Sequence, residues 1–206
     1  MPTDPPEAPG YPPTIPSPTS LATLHRVMVR CTRCDLFMSR TRVVPGSGPA
    51  DARVLFVGEA PGRSEDEEGV PFVGRSGALL TSMLEEAGLA RDEIFIANVV
   101  RCRPPENRNP RAAEIRACAG WLQEQIRLIS PGLTISLGRF ALQHFLPAGR
   151  ITALQGEVQE VQTGGRPLPL LPLLHPSAVL RNPQLRPAYA DQFRRIPEIL
   201  EAVANR

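Results

Sequence analysis

Three short apolar runs, Arg53–Val57, Ile94–Val100 and Leu133–Leu137, each end in a polar or glycine-bearing loop, and helical patterns separate them. Runs of this length, rich in branched residues, predict buried strands. Between them, Ser76–Ala87 carries Leu79, Leu80, Met83, Leu84 and Ala87 at helical spacing and stops at Gly88. Arg111–Ile129 places Ile115, Cys118, Ala119, Leu122 and Ile126 on one helical face, and Ser130-Pro131-Gly132 ends it. A further helix is expected from Gly138 through Phe145. The alternation of strand and helix predicts an α/β fold: a mostly parallel sheet with helices on both faces, and binding sites at the carboxyl ends of the strands. Ser20–Arg30 reads as a short helix entering a Cys31 turn, and Glu59–Val73 as loop. Glu157–Val161 and Leu168–Leu174 read as a hairpin around Thr163-Gly164-Gly165, and Pro187–Ala204 as a closing helix.

A chain of 206 residues suffices for one such domain. Eight of its 24 prolines fall within Met1–Pro18, so residues 1–20 are expected to be a disordered tail and 21–206 a single domain. No stretch approaches the roughly 18–20 apolar residues of a membrane span. Asp4 and Glu7 stand where a signal peptide would carry positive charge. A soluble, cytoplasmic, monomeric protein is therefore expected. All 23 basic residues are Arg, and the absence of Lys excludes lyase chemistry through a lysine Schiff base. The net charge of +2 does not by itself announce nucleic acid. Locally, Arg101–Arg116 carries five Arg against Glu106 and Glu114, whereas Glu65–Glu68 is a run of four acids.

Cys31, Cys34, Cys102 and Cys118 are the only cysteines. In a reducing compartment they point away from disulfides. A zinc ribbon usually repeats a tight C-x2-C in its second half, and here fifteen residues separate the second pair. A four-thiolate iron–sulfur cluster tolerates such spacing. Zinc, a cluster and four free thiols all remain open on spacing alone.

The loops that follow the strands carry the remaining chemistry. Gly58-Glu-Ala-Pro-Gly62 lacks the Gly-Lys-Ser/Thr ending of a phosphate loop and the dinucleotide fingerprint, but it can expose backbone N–H groups and set Glu59 at a cleft mouth. Phe72 follows Pro71, where an aromatic can serve as a stacking platform or plug the core. Asn98 lies late in an apolar strand, and its amide must be hydrogen-bonded to a turn or a ligand. His175 ends another apolar run, whereas His25 and His144 lie in helices and read as structural.

Taken together, Gly58–Gly62, Pro71-Phe-Val-Gly74, Asn98 with Cys102-Arg-Pro-Pro105, and His175-Pro-Ser177 resemble the family 4 uracil-DNA glycosylases over roughly residues 25–200. The resemblance implies a three-layer α/β/α fold around a central, mostly parallel four-stranded sheet. It implies a structural [4Fe–4S] cluster on Cys31, Cys34, Cys102 and Cys118. It also implies a uracil site formed by Glu59, Ala60, Pro61, Glu65, Phe72, Asn98 and His175, with Glu59 and His175 catalytic. Phe72 would stack on a flipped uracil and Asn98 would pair with N3–H and O4. His175 would donate to O2 as charge develops there, and Glu65 would crowd the C5 edge against thymine. A loop of Val179, Leu180 and Arg181 would enter the minor groove and meet phosphate. The expected activity is monofunctional uracil excision from DNA in base excision repair. Glu59 departs from the first motif of family 5, and Ala60 from the Gln of suicide-type relatives. Ala60 also stands where another glycosylase class has an aspartate, which favours a dissociative mechanism with weak water activation. Two rival readings keep part of the pattern: a non-catalytic iron–sulfur nucleic-acid-binding module, and a zinc-stabilised hydrolase of small nucleosides.

Overall fold

The computed structural model describes residues 18–205. In chain order the elements are α1 (Leu21–Met28), β1 (Val54–Gly58), α2 (Arg63–Glu68), α3 (Arg75–Glu86), β2 (Phe95–Asn98), α4 (Ala112–Ile129), β3 (Leu133–Leu137), α5 (Arg139–Phe145), α6 (Ile151–Leu154), β4 (Gln159–Thr163), β5 (Arg166–Leu173), α7 (Pro176–Arg181), α8 (Arg186–Arg194) and α9 (Ile196–Ala204). The sheet order is β2-β1-β3-β5-β4, parallel except for β4 against β5.

Every residue of β1, β2 and β3 is buried, as expected for parallel strands covered on both faces. Alternate side chains go to opposite layers. Leu55, Val57, Phe95 and Ala97 pack with Leu24, Met28, Trp121, Leu122, Ile126 and Leu142 from α1, α4 and α5. Val54, Phe56, Ile94 and Ile96 pack with Leu80, Met83, Leu84, Val179, Phe193 and Ile196 from α3, α7, α8 and α9. The three-layer α/β/α expectation is met.

Five details differ from the sequence reading. The sheet has five strands, not four: β4 adds an antiparallel edge, and only Val161 of its five residues is buried, so it carries little apolar signal. Arg63–Glu68 is helix within the stretch expected to be loop, and its acidic run is not all solvated, since Asp66 is 2% exposed. Asp66 accepts from the backbone N–H of Thr41 at 3.0 Å and of Arg42 at 3.3 Å. The segment after His175 is also helix, with Pro176 at its first position, where a missing N–H costs nothing. The closing helix is two, α8 and α9, because Pro197 cannot donate back and its ring crowds the preceding turn. Finally, residues 1–17 of the expected tail lie outside the described residues, while Pro18 and Ser20 belong to the fold. The Pro18 carbonyl accepts from Arg127 at 2.7 Å, and Ser20 caps α1.

Candidate active site and metal centre

The sheet register brings the site together. Gly58 and Asn98 are paired at the carboxyl ends of β1 and β2. A side chain on Gly58 would put its Cβ 2.4 Å from Asn98 Oδ1 and 2.6 Å from Phe72 Cζ. Glycine there is what lets the amide and the ring share one floor. Phe72 has φ 54°, an uncommon conformation for an aromatic residue. The surrounding chain holds it. Arg91 donates to the carbonyls of Pro71 and Phe72 at 2.9 and 2.8 Å and to Thr81 Oγ1 at 2.9 Å. Gly77 of α3 lies so close to Phe72 that any Cβ would collide with its carbonyl.

Glu65 ties the two flanking loops together. Oε1 accepts from the N–H of Val73 at 3.0 Å and of Gly74 at 2.9 Å, and Oε2 accepts from Gly62 N–H at 3.1 Å. The carboxylate is thus a fixed wall rather than a mobile group. Asn98, by contrast, is 2% exposed, and its Oδ1 has no hydrogen-bond partner among the described residues. A buried, unsatisfied acceptor costs stability unless something else meets it.

His175 follows β5 and caps α7. Its Nδ1 accepts from Ser177 N–H at 3.2 Å and lies 2.9 Å from Ser177 Oγ. An accepting Nδ1 places the ring proton on Nε2 in the neutral form. Burial, aided by the Arg181 charge and opposed by Glu65, pulls the His175 pKa down from 6.5 to about 4, so the ring is neutral at pH 7. Its centroid is 5.8 Å from that of Phe72. Burial raises the pKa of Glu59, and the positive charge of Arg139 works against that shift.

All seven residues expected at the site, Glu59, Ala60, Pro61, Glu65, Phe72, Asn98 and His175, line one cleft of about 610 Å³. Arg181 lines it too, but the expected three-residue contact loop does not survive as such. Val179 is 2% exposed and packs in the core, because it sits on the inner face of α7; Leu180 is exposed. The sequence reading missed Arg63, Arg75 and Arg108 on the cleft wall. Arg63 pairs with Glu67 at 2.8 Å and Arg108 with Glu114 at 2.6 Å. Arg75 and Arg181 have no carboxylate partner among the described residues. Isolated arginines in a loop-rich sequence carry no signal that they will converge.

The four cysteines border a second, small cavity that shares no lining residue with the cleft. All four are free thiols. Burial pushes Cys102 up to about 11, partly offset by Arg40, which donates to its Sγ at 3.3 Å. Burial pushes Cys118 up to about 12, partly offset by Arg101. Among the described residues, no three His, Cys, Asp or Glu side chains are arranged to hold a single metal ion. Two residues that line this cavity carry buried N–H donors, Arg101 Nε and Trp121 Nε1, that have no partner among the described residues. Four soft donors with nearby cations and unpartnered N–H groups suit a sulfur-rich group larger than one ion.

Comparison with known proteins agrees with this geometry. The sequence profile of the uracil DNA glycosylase superfamily matches residues 45–198. The chain is 43% identical over 185 residues to a type-4 uracil-DNA glycosylase of Archaeoglobus fulgidus, covering 87% of this chain and 93% of that protein. It is 42% identical over 186 residues to the type-4 enzyme of Sulfurisphaera tokodaii, covering 87% and 84%. It is 44% identical over 154 residues to the type-4 enzyme of Thermotoga maritima, covering 74% and 79%.

Proposed function

We propose that this chain, which belongs to the type-4 uracil-DNA glycosylases of the uracil-DNA glycosylase superfamily, takes uracil out of the DNA helix and hydrolyses its N-glycosidic bond, leaving an abasic site for base excision repair. The carrying observation is the unpartnered Asn98 Oδ1, buried over Gly58 beside the Phe72 ring. Uracil N3–H is a donor that would meet Oδ1, while the same amide donates to uracil O4. Cytosine offers an acceptor at N3 and a donor at C4, the reverse pattern, and leaves both ends of the amide mismatched. Extruding the base costs a few kcal/mol, and stacking on Phe72 returns about 1–3 kcal/mol.

Bond cleavage leaves negative charge on uracil and positive charge on the sugar. Neutral His175 donates its Nε2–H to O2 where the anion forms, and Ser177 holds the tautomer that makes this possible. No protonated histidine is required. The Glu59 carboxylate, at the end of β1, supplies negative charge on the sugar side. Water then adds to C1′, and its proton balances the charge on the departing base. Glu65, immobilised by three backbone N–H groups, is the rigid wall against a C5 methyl. Arg75 and Arg181 take phosphate contacts at the cleft rim.

Cys31, Cys34, Cys102 and Cys118 would hold a [4Fe–4S] cluster. When bound, the cluster supplies a rigid crosslink between the α1–β1 connection and α4. Its cavity and the cleft share no lining residue, which supports a structural role. No helix among the described residues is long and apolar enough to cross a membrane, and cysteines kept as thiolate ligands rather than disulfides suit the reducing cytoplasm.

The test is Asn98→Asp on oligonucleotides carrying one uracil or one cytosine. An ionised Asp accepts but cannot donate to O4, so uracil excision should fall by about 10–100-fold and the preference over cytosine should shrink. Unchanged kinetics and selectivity would remove Asn98 from the base-reading role.

A further inference from the structure

Arg101 is 1% exposed and Trp121 is 4% exposed; both residues line the four-cysteine cavity, and Arg101 Nε and Trp121 Nε1 have no hydrogen-bond partner among the described residues. A buried charged guanidinium is costly unless something of opposite charge compensates it. Among the described residues no carboxylate reaches Arg101. Its Nη2 donates to Gln125 Oε1 at 2.5 Å and its Nη1 to the carbonyl of Asn98. Gln125 in turn donates to the Pro45 carbonyl at 2.7 Å. Four thiolates around a cluster form a net negative, sulfur-rich group, and such groups accept N–H hydrogen bonds.

We infer that Arg101 Nε and Trp121 Nε1 donate to the sulfur of the group held by the four cysteines, and that Arg101 is a positioning residue joining this group to the backbone of Asn98. The inference rests on the cluster reading above. One guanidinium then serves both ends: the charge that sulfur neutralises through Nε also anchors the carbonyl of the base-reading residue through Nη1. Arg40 already shows the pattern by donating to Cys102 Sγ at 3.3 Å. Arg33 lies over the Trp121 ring, its Cζ 5.7 Å from the ring centroid. The two donors also have a spectroscopic handle, because Trp121 is the only tryptophan.

Hydrogen bonds to cluster sulfur favour the reduced, more negative state, so removing one lowers the reduction potential. The experiment compares wild type with Trp121→Phe, which keeps an aromatic ring and loses the N–H. Iron content, visible absorbance, tryptophan emission and midpoint potential are measured on anaerobically purified protein. In wild type, emission should be quenched and should recover when a chelator strips the iron. Trp121→Phe should bind iron at the wild-type ratio with its reduction equilibrium moved about tenfold toward the oxidised form, about 59 mV for one electron. Arg101→Gln should move it further in the same direction and raise the KM for uracil-containing DNA about tenfold. Iron-bearing Trp121→Phe with the wild-type potential would overturn this inference alone. Wild-type protein without iron would overturn the cluster reading and this inference with it.

Discussion

Gly58→Ala is the sharpest single perturbation of the pocket. The added methyl would sit 2.4 Å from Asn98 Oδ1, 2.6 Å from Phe72 Cζ and 2.7 Å from Phe72 Cε2. Carbon contacts are comfortable near 3.5–4.0 Å, so something must move by about an ångström. Asn98 cannot retreat with its strand, because Gly58 and Asn98 are register partners. Phe72 is held by two carbonyl bonds to Arg91 and by the close approach of Gly77. The movable parts are the Asn98 amide and the Phe72 ring, the two groups that would receive uracil. Overpacking of this kind costs about 1–3 kcal/mol, or a Tm loss of roughly 2–12 °C for a domain of this size. Loss of stacking alone, at about 1–3 kcal/mol, lowers kcat/KM by roughly 5–150-fold. Single-turnover excision on a one-uracil duplex and a thermal melt measure the two effects together. A lowered Tm with unchanged kcat/KM would refute the argument that the amide and ring over Gly58 form the base pocket.

Three further outcomes follow from the geometry. His175 is neutral down to about pH 4, so the excision rate should show no inflection near pH 6.5, and a rate that rises as pH falls through 6.5 would mean the imidazolium is the active form. His25, His144 and His175 are each lowered from 6.5 to about 4, chiefly by burial; between those values the unfolded chain binds more protons, so stability is full above pH 6.5 and falls on acidification toward pH 4. A Tm that stays level or rises from pH 7 to 5 would contradict that sign. Glu65→Ala strands the N–H groups of Gly62, Val73 and Gly74, so it should lower stability by about 1–3 kcal/mol and admit measurable thymine excision, and intact selectivity against thymine would remove the wall assignment.

The legible parts of this fold are those whose signal is local. The runs in β1, β2 and β3 announce themselves by apolar content, and α3 and α4 by their spacing. The sequence Arg63–Glu68 has no apolar period. It is helical because Glu65 reaches back to Gly62 and Asp66 receives Thr41 and Arg42, contacts made with chain 24 or more residues distant in the second case. α7 had a readable start, His175 as cap and Pro176 at the first turn, but its length could not be told from a loop. Val179 was misassigned because burial on the inner face of a six-residue helix depends on what lies beneath it. Arg101 was read as part of a basic patch, as any arginine among arginines would be. Its burial beside sulfur and Asn98 is a product of where β2 ends, and that is not written in the local sequence. The seven expected site residues came as a set from the family resemblance, and they line one cleft because strand-end loops converge in this topology.

The most direct measurement is release of free base from a duplex carrying one labelled deoxyuridine, with a thymine duplex and His175→Ala as controls. Uracil should appear with an alkali-labile abasic site and no strand cut before alkali, thymine should stay in place, and His175→Ala should be slower by about 10²–10³-fold. Folded, iron-bearing protein that releases no uracil would contradict the assignment of this cleft as a uracil-excision site.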